Sequence, residues 1–142
     1  MLNSIAAHSK FDGGPAGPAY NEAAFRHFLT VDRSRARRSR RPLYLVLVAL
    51  RKSLGRRAQF TDPTATAVFR GLGGSVREVD FVGWYQEGQV AAAVFSQGTK
   101  VSDGVAAVIR DRVMTSLTKQ LTPEQSTNLR VRVVRLGGGG ES

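Results

Sequence analysis

The chain has no cysteine. That excludes a disulfide frame, a thiolate metal site and a cysteine nucleophile, and it suits a reducing interior. Histidine is nearly as scarce, with His8 and His27 the only two. His8 lies in a glycine- and proline-rich stretch and His27 beside Arg26 among basic residues, so neither belongs to a Ser-His-Asp set. The longest apolar run, Leu43 to Leu50, falls far short of the ~20 residues that a membrane-spanning helix needs. No basic stretch followed by an apolar one opens the chain, so no signal peptide is expected and the cytoplasm is the expected compartment.

Acidic residues are also few, eleven against 21 Lys and Arg in 142 residues, for a net charge of +10. With 42% hydrophobic residues, this length suits one domain with a real core and is too short for two. Seven arginines fall between Arg26 and Arg41, six of them from Arg33 to Arg41. Such a strip can attract nucleic acid, anionic lipid or an acidic protein face, or it can be the solvated side of a helix. No aromatic residues interleave with it for base stacking, and no helix-turn-helix, zinc-finger or RNA-recognition pattern is present. Nucleic acid is therefore not the expected partner.

Residues 1–20 hold Gly13, Gly14, Pro15, Gly17 and Pro18 with little periodicity, and are expected to be a flexible arm. The domain is expected to span residues 21–136 and a disordered GGGGES tail residues 137–142. Asn21 is placed to cap a helix that buries Phe25, Phe28, Leu29 and Ala36 and ends at Arg41, before Pro42. Leu43 to Leu50 is apolar throughout, as a central strand covered on both faces would be. A basic connection follows. Asp62-Pro63 then opens a second helix with Ala67, Val68 and Leu72 inward, stopped by Gly71, Gly73 and Gly74. Those glycines follow a helix and precede a strand, the reverse of a dinucleotide fingerprint. Two strands, about Glu78 to Tyr85 and Gln89 to Phe95, flank the turn Gln86-Glu87-Gly88. Ser102 or Asp103 caps a long helix with Val105, Val108, Ile109, Val113 and Leu117 as its stripe, and Leu129 to Leu136 alternates as a last strand. This order predicts an α+β fold, a mostly antiparallel sheet with helices packed on one face.

The segment Val76 to Phe95, VREVDFVGWYQEGQVAAAVF, carries a more specific pattern. It resembles the signature hairpin of GGDEF diguanylate cyclases, in which Arg-x-x-Asp precedes a strand, the turn Gly-Gly-Asp/Glu-Glu-Phe and a second strand. Arg77 and Asp80 take the Arg-x-x-Asp positions, and Gln86, Glu87, Gly88, Gln89 and Val90 take those of the signature. The resemblance implies the palm or ferredoxin-like fold of nucleotide cyclases, in agreement with the element order. It also implies a degenerate member. Cyclases of this family hold two metals on carboxylates, because the leaving pyrophosphate and the developing alkoxide need their charge neutralised. The end of the first family strand reads Leu50-Arg51-Lys52 here, without an acid, and Gln89 stands where the family has its Glu. Only Glu87 is acidic at the turn, one position too early. No catalytic residue, metal or cofactor is expected.

In the family, Arg-x-x-Asp binds cyclic di-GMP, with a further arginine from the next helix; Arg110 or Arg112 is the candidate here. An Arg fork suits a guanine Hoogsteen edge or a phosphate, and a carboxylate accepts from guanine N1 and N2. The same pair also reads as a plain surface ion pair. Trp84, the only tryptophan, shares a strand face with Asp80 and Val82 by the two-residue period. It reads as an interface anchor or as a cover over the sheet. The expectation is a non-catalytic receptor or regulatory domain of bacterial signalling that takes cyclic di-GMP. The alternatives are a protein-interaction or homodimerisation module without nucleotide, or a basic adaptor for anionic surfaces.

Overall fold

The computed structural model describes residues 7–51, 58–75, 79–96 and 104–136. In chain order the strands are β1 His8–Asp12, β2 Pro18–Tyr20, β3 Leu43–Leu50, β4 Val79–Gln86, β5 Val90–Ser96 and β6 Leu129–Leu136. The helices are α1 Glu22–Ser39, α2 Asp62–Gly73, α3 Val105–Gln120 and the short α4 Pro123–Thr127. They build one six-stranded sheet in the order β1-β2-β4-β5-β3-β6. Among the described residues only the β2–β4 pairing is parallel.

β3 lies between β5 and β6, paired with them along its length. Its sequence has apolar residues of both parities, and both faces are covered. Tyr44, Val46 and Val48 point into a core shared with Val68, Phe69 and Leu72 of α2 and Ile109, Val113 and Leu117 of α3. Leu43 and Leu45 point the other way, onto Phe25, Leu29 and Ala36 of α1. The helices therefore sit on both faces of the sheet, not on one as the element order suggested. A strand without alternation needs a layer on each side.

The segment read as a flexible arm is ordered from His8 onward. It supplies β1 and β2 and buries Ala19 completely. The amide of Gly13 donates to the carbonyl of Gly17 at 2.8 Å, closing the turn between the two strands. Phe11 stacks on Phe69 and meets Trp84 edge-on. Residues 1–6 and the tail 137–142 lie outside the described residues.

Asn21 caps α1 by accepting from the amide of Ala24 at 2.9 Å. The helix stops before the expected Arg41. Arg40 turns left-handed (φ 56°) and the amide of Arg41 bonds back to the carbonyl of Ala36 at 2.9 Å, a local C-terminal motif that closes the helix before Pro42 takes effect. Phe28, expected on the buried stripe, is 36% exposed. α2 is capped by Thr61, one residue before the expected start. Gly71 and Gly73 lie inside α2 and do not stop it. A Cβ on Gly71 would come within 2.8 Å of Leu117 Cδ2, and one on Gly73 would overlap the Gly13 carbonyl oxygen. These two glycines let α3 and the β1–β2 turn approach the helix; Gly74 is its C-cap.

On α3 the buried stripe is Ile109, Val113 and Leu117, while Val108 is 52% exposed. The expected caps Ser102 and Asp103 lie outside the described residues, and Gly104 holds the N-cap position. Among the described residues no helix is long and apolar enough to cross a membrane.

Candidate functional site

The β4–β5 hairpin closes through Glu87, Gly88 and Gln89, with the amide of Gln89 donating to the carbonyl of Gln86 at 3.0 Å. Gly88 has φ +73°, a left-handed conformation that explains a glycine here. The tip is clasped to the start of α1. The Glu87 carboxylate accepts from the Glu22 amide at 3.0 Å, and the Glu22 carboxylate accepts from the Glu87 amide at 2.7 Å. One turn along α1, Arg26 Nε donates to the Tyr85 carbonyl at 2.9 Å and its guanidinium lies 4.3 Å from the Tyr85 ring centre. The exchange satisfies an amide in the first turn of α1 and places negative charge at the positive end of its dipole. Glu87, the one acid of the turn, thus has a structural task. Among the described residues no group of three or more His or acidic side chains gathers to hold a metal.

At the other end of the hairpin the strands do not keep step. Val79 faces Phe95 but Phe81 faces Val94, so Asp80 is the extra residue of a β-bulge. The bulge breaks the two-residue period. Val82 and Trp84 face α2 and α3, whereas Asp80 joins Phe81 in a cavity of about 620 Å3 on the α1 side. Asp80 and Trp84 therefore do not share a face. Tyr20, Phe28 and Phe81 supply the aromatic part of the cavity, and Asp32 of α1 brings in a second carboxylate. Asp80 accepts a hydrogen bond from Ser96 Oγ.

Both carboxyls titrate above the usual carboxylate range. For Asp80 burial is the cause, opposed by the Ser96 hydrogen bond. For Asp32 burial leads, the charge of Asp80 adds to it, and Arg35, 4.0 Å away, works against both. Desolvation and a like charge both disfavour the ionised form. Asp32 was not singled out from the sequence. It sits at the head of the arginine run, and its i, i+3 spacing to Arg35 was the available signal.

Among the described residues, the expected site residues Asp80, Arg110 and Arg112 do not share a cavity. Arg112 lines a separate cleft of about 640 Å3 on the opposite face, between α2 and α3. Arg110 is exposed on α3 and lines neither cavity. Arg77 lies outside the described residues. Trp84, expected as an interface anchor, is only 3% exposed and packs on Phe69, Phe60 and Phe11 at ring-centre distances of 4.9, 5.7 and 5.9 Å. A ring enclosed in its own core has no face left for a partner, which corrects that expectation.

The arrangement superposes on known structures. A DGC protein from Thermotoga maritima matches with TM-score 0.59 at 18% identity, over 85% of this chain and 82% of that one. The FimX GGDEF domain from Pseudomonas aeruginosa matches with TM-score 0.57 at 17% identity, over 94% and 84%. The GGDEF domain of DgcB from Caulobacter crescentus, solved in complex with c-di-GMP, matches with TM-score 0.53 at 15% identity, over 95% and 77%. The chain has the GGDEF-domain fold. No protein-family model matches the sequence, and neither does any curated protein.

Gln86 to Val90 fall at the tip of the β4–β5 hairpin. Asp80 falls at the base of that hairpin, about six residues away, or roughly 20 Å along an extended strand. Tip and base are thus separate places in this GGDEF fold, and each has its own contact with α1.

Proposed function

We propose that the chain is a non-catalytic regulatory module built on the GGDEF fold, working in the bacterial cytoplasm. The observation that carries this reading is the engaged hairpin tip. Glu87 is the one carboxylate at the turn, and it accepts the Glu22 amide. The end of β3 offers Leu50 and Arg51 and no acid. Two-metal phosphoryl transfer needs carboxylates at both places, and a guanidinium beside the strand end would repel a cation. Incubation with GTP and Mg2+ or Mn2+ tests the reading, with no cyclic dinucleotide expected above a protein-free control.

Within this module, cyclic di-GMP is the proposed ligand, through Arg77 and Asp80. Support comes from the Asp80 carboxylate at an aromatic-lined cavity and from the c-di-GMP complex of the DgcB domain. Asp80 would accept from guanine N1 and N2 while Arg77 takes a phosphate or the Hoogsteen edge. Calorimetric titration is expected to give micromolar or tighter binding, with Asp80→Ala weakening it by about 1.5–3 kcal/mol. Wild-type protein that gives no heat at high ligand concentration defeats the ligand assignment. One observation favours the second reading, an interaction or homodimerisation module without nucleotide: Asp80 is already bonded to Ser96, and Arg112 lies on the other face of the sheet.

A further inference from the structure

The two outer strands of the sheet differ. β1 is five residues long, its register with β2 shifts between His8 and Asp12, and its Lys10 is paired with Asp62. β6 is eight residues long and stays in register with β3 from Leu129 to Leu136. Among the described residues no strand pairs with its other side, so every second residue there turns a backbone N–H and C=O outward. The side chains of β6 fall into two rows. Val131 and Val133 are partly buried and extend the core shared with α2 and α3. Arg130 and Arg132 are exposed and stand in the other row, with Val134 of the α1-side core. Their lateral neighbours on β3 are Ala49 and Leu47, which carry no charge. None of Arg130, Arg132 and Arg135 has an ion-pair partner among the described residues, and β6 itself holds no acid.

We propose that the free edge of β6 takes an added strand, an extended segment of a protein partner in which acidic residues alternate with apolar ones. A strand added at this edge hydrogen-bonds its backbone to β6, and its side chains alternate as those of β6 do. Acids at positions i and i+2 then lie beside Arg130 and Arg132. The residue between them lies beside Val131 and prolongs the apolar row. Opposite charges across neighbouring strands attract on such a surface, and like charges directly opposite repel. A second copy of this chain is a poor occupant for that reason. Pairing β6 with β6 brings arginines of both strands together on a chain whose net charge is +10. β6 contributes no residue to the Asp80 cavity, so the inference does not rest on cyclic di-GMP binding there.

The probe is a dye-labelled octapeptide of alternating Glu and Val, titrated with the full chain and read by fluorescence anisotropy at about 0.15 M salt, where long-range attraction is screened. It is expected to bind and to slow hydrogen exchange at β6 amides. The same peptide N-methylated at every residue keeps its charge but has no backbone N–H to donate. It is expected to bind at least about tenfold more weakly, and equal binding overturns strand addition. A peptide of alternating Lys and Val is expected not to bind, and its binding overturns the acidic assignment. Arg130→Glu combined with Arg132→Glu is expected to weaken the Glu-Val peptide at least about tenfold. Both side chains are exposed, so the circular dichroism spectrum is expected to stay unchanged. Arg33→Glu combined with Arg37→Glu makes the same charge change on α1 and is expected to leave the affinity nearly unchanged. An equal loss there would mark diffuse attraction and overturn the proposal, as would absence of binding by the wild-type chain. Protection of β6 amides through self-association of the free chain would replace the acidic partner with a second copy.

Discussion

The two ends of the β4–β5 hairpin solve different problems with the same helix. At the tip, Glu87 and Glu22 exchange carboxylate-to-amide bonds and Arg26 covers Tyr85. The Glu22, Arg26 and Glu87 side chains there all bind backbone groups. At the base, Asp80 and Asp32 line one cavity; burial raises both carboxyls, and the charge of Asp80 raises Asp32 further. The tip is therefore held by reciprocal bonds to α1, while at the base two carboxyls are shifted toward the protonated form. The contrast sets a hairpin tip tied to the start of α1 against a base that opens on a carboxylate-lined cavity.

Trp84 joins the two ends, and removing it tests whether they depend on a common core. Trp84→Ala is expected to cost about 3–5 kcal/mol, as for other buried large aromatics, read from the urea midpoint. A loss below about 1 kcal/mol would mean that β4 is held by its end contacts alone. Next in size comes the clasp. Glu87→Ala or Glu22→Ala is expected to cost about 0.5–1.5 kcal/mol, since each removes one exposed hydrogen bond at the α1 terminus. The double variant is expected to cost less than the sum, because one exchange is broken twice. Strict additivity would show that the two bonds act independently.

The smallest effect sharpens the base of the comparison. A carboxyl whose folded pKa is raised binds its proton more tightly in the folded state, so its contribution to stability is fully present below the unfolded pKa. It is lost as pH rises through the folded pKa. Asp32 and Asp80 therefore favour folding as pH falls from neutrality toward about 4. Asp32→Asn is expected to flatten that part of the stability profile, and Asp80→Asn to bring the Asp32 titration, followed by carboxyl NMR shifts, closer to the usual range. An unchanged Asp32 titration would show that Asp32 does not sense the Asp80 charge.

Much of this fold was legible in the sequence, and the failures have physical causes. β3 and β6 are legible with their observed limits because the one is an uninterrupted apolar run and the other alternates from Leu129 to Val133. The hairpin was legible from Gly88 and its flanking strands, and α1 from Asn21. β1 and β2 were missed because their five and three residues hold few apolar side chains, and their stability comes from β4, Phe69 and Trp84, far along the chain. The glycines of α2 read as stop signals, although two of them are contact surfaces for other elements, a role visible only in the packed molecule. For the site, sequence placed Asp80 at the hairpin base but on the wrong face. A one-residue bulge reverses which way a side chain points and leaves no mark in composition. Asp32 was hidden because the surrounding arginines drew attention to net charge over a single acid.

The central claim is that the GGDEF fold persists here without cyclase chemistry, and it is tested by incubating the purified chain with GTP and Mg2+ or Mn2+ and measuring cyclic dinucleotide by chromatography. The account predicts no product above the protein-free control. Product that forms with the wild-type chain and disappears on Glu87→Ala would contradict it, because the carboxylate assigned to the α1 clasp would then be serving the reaction.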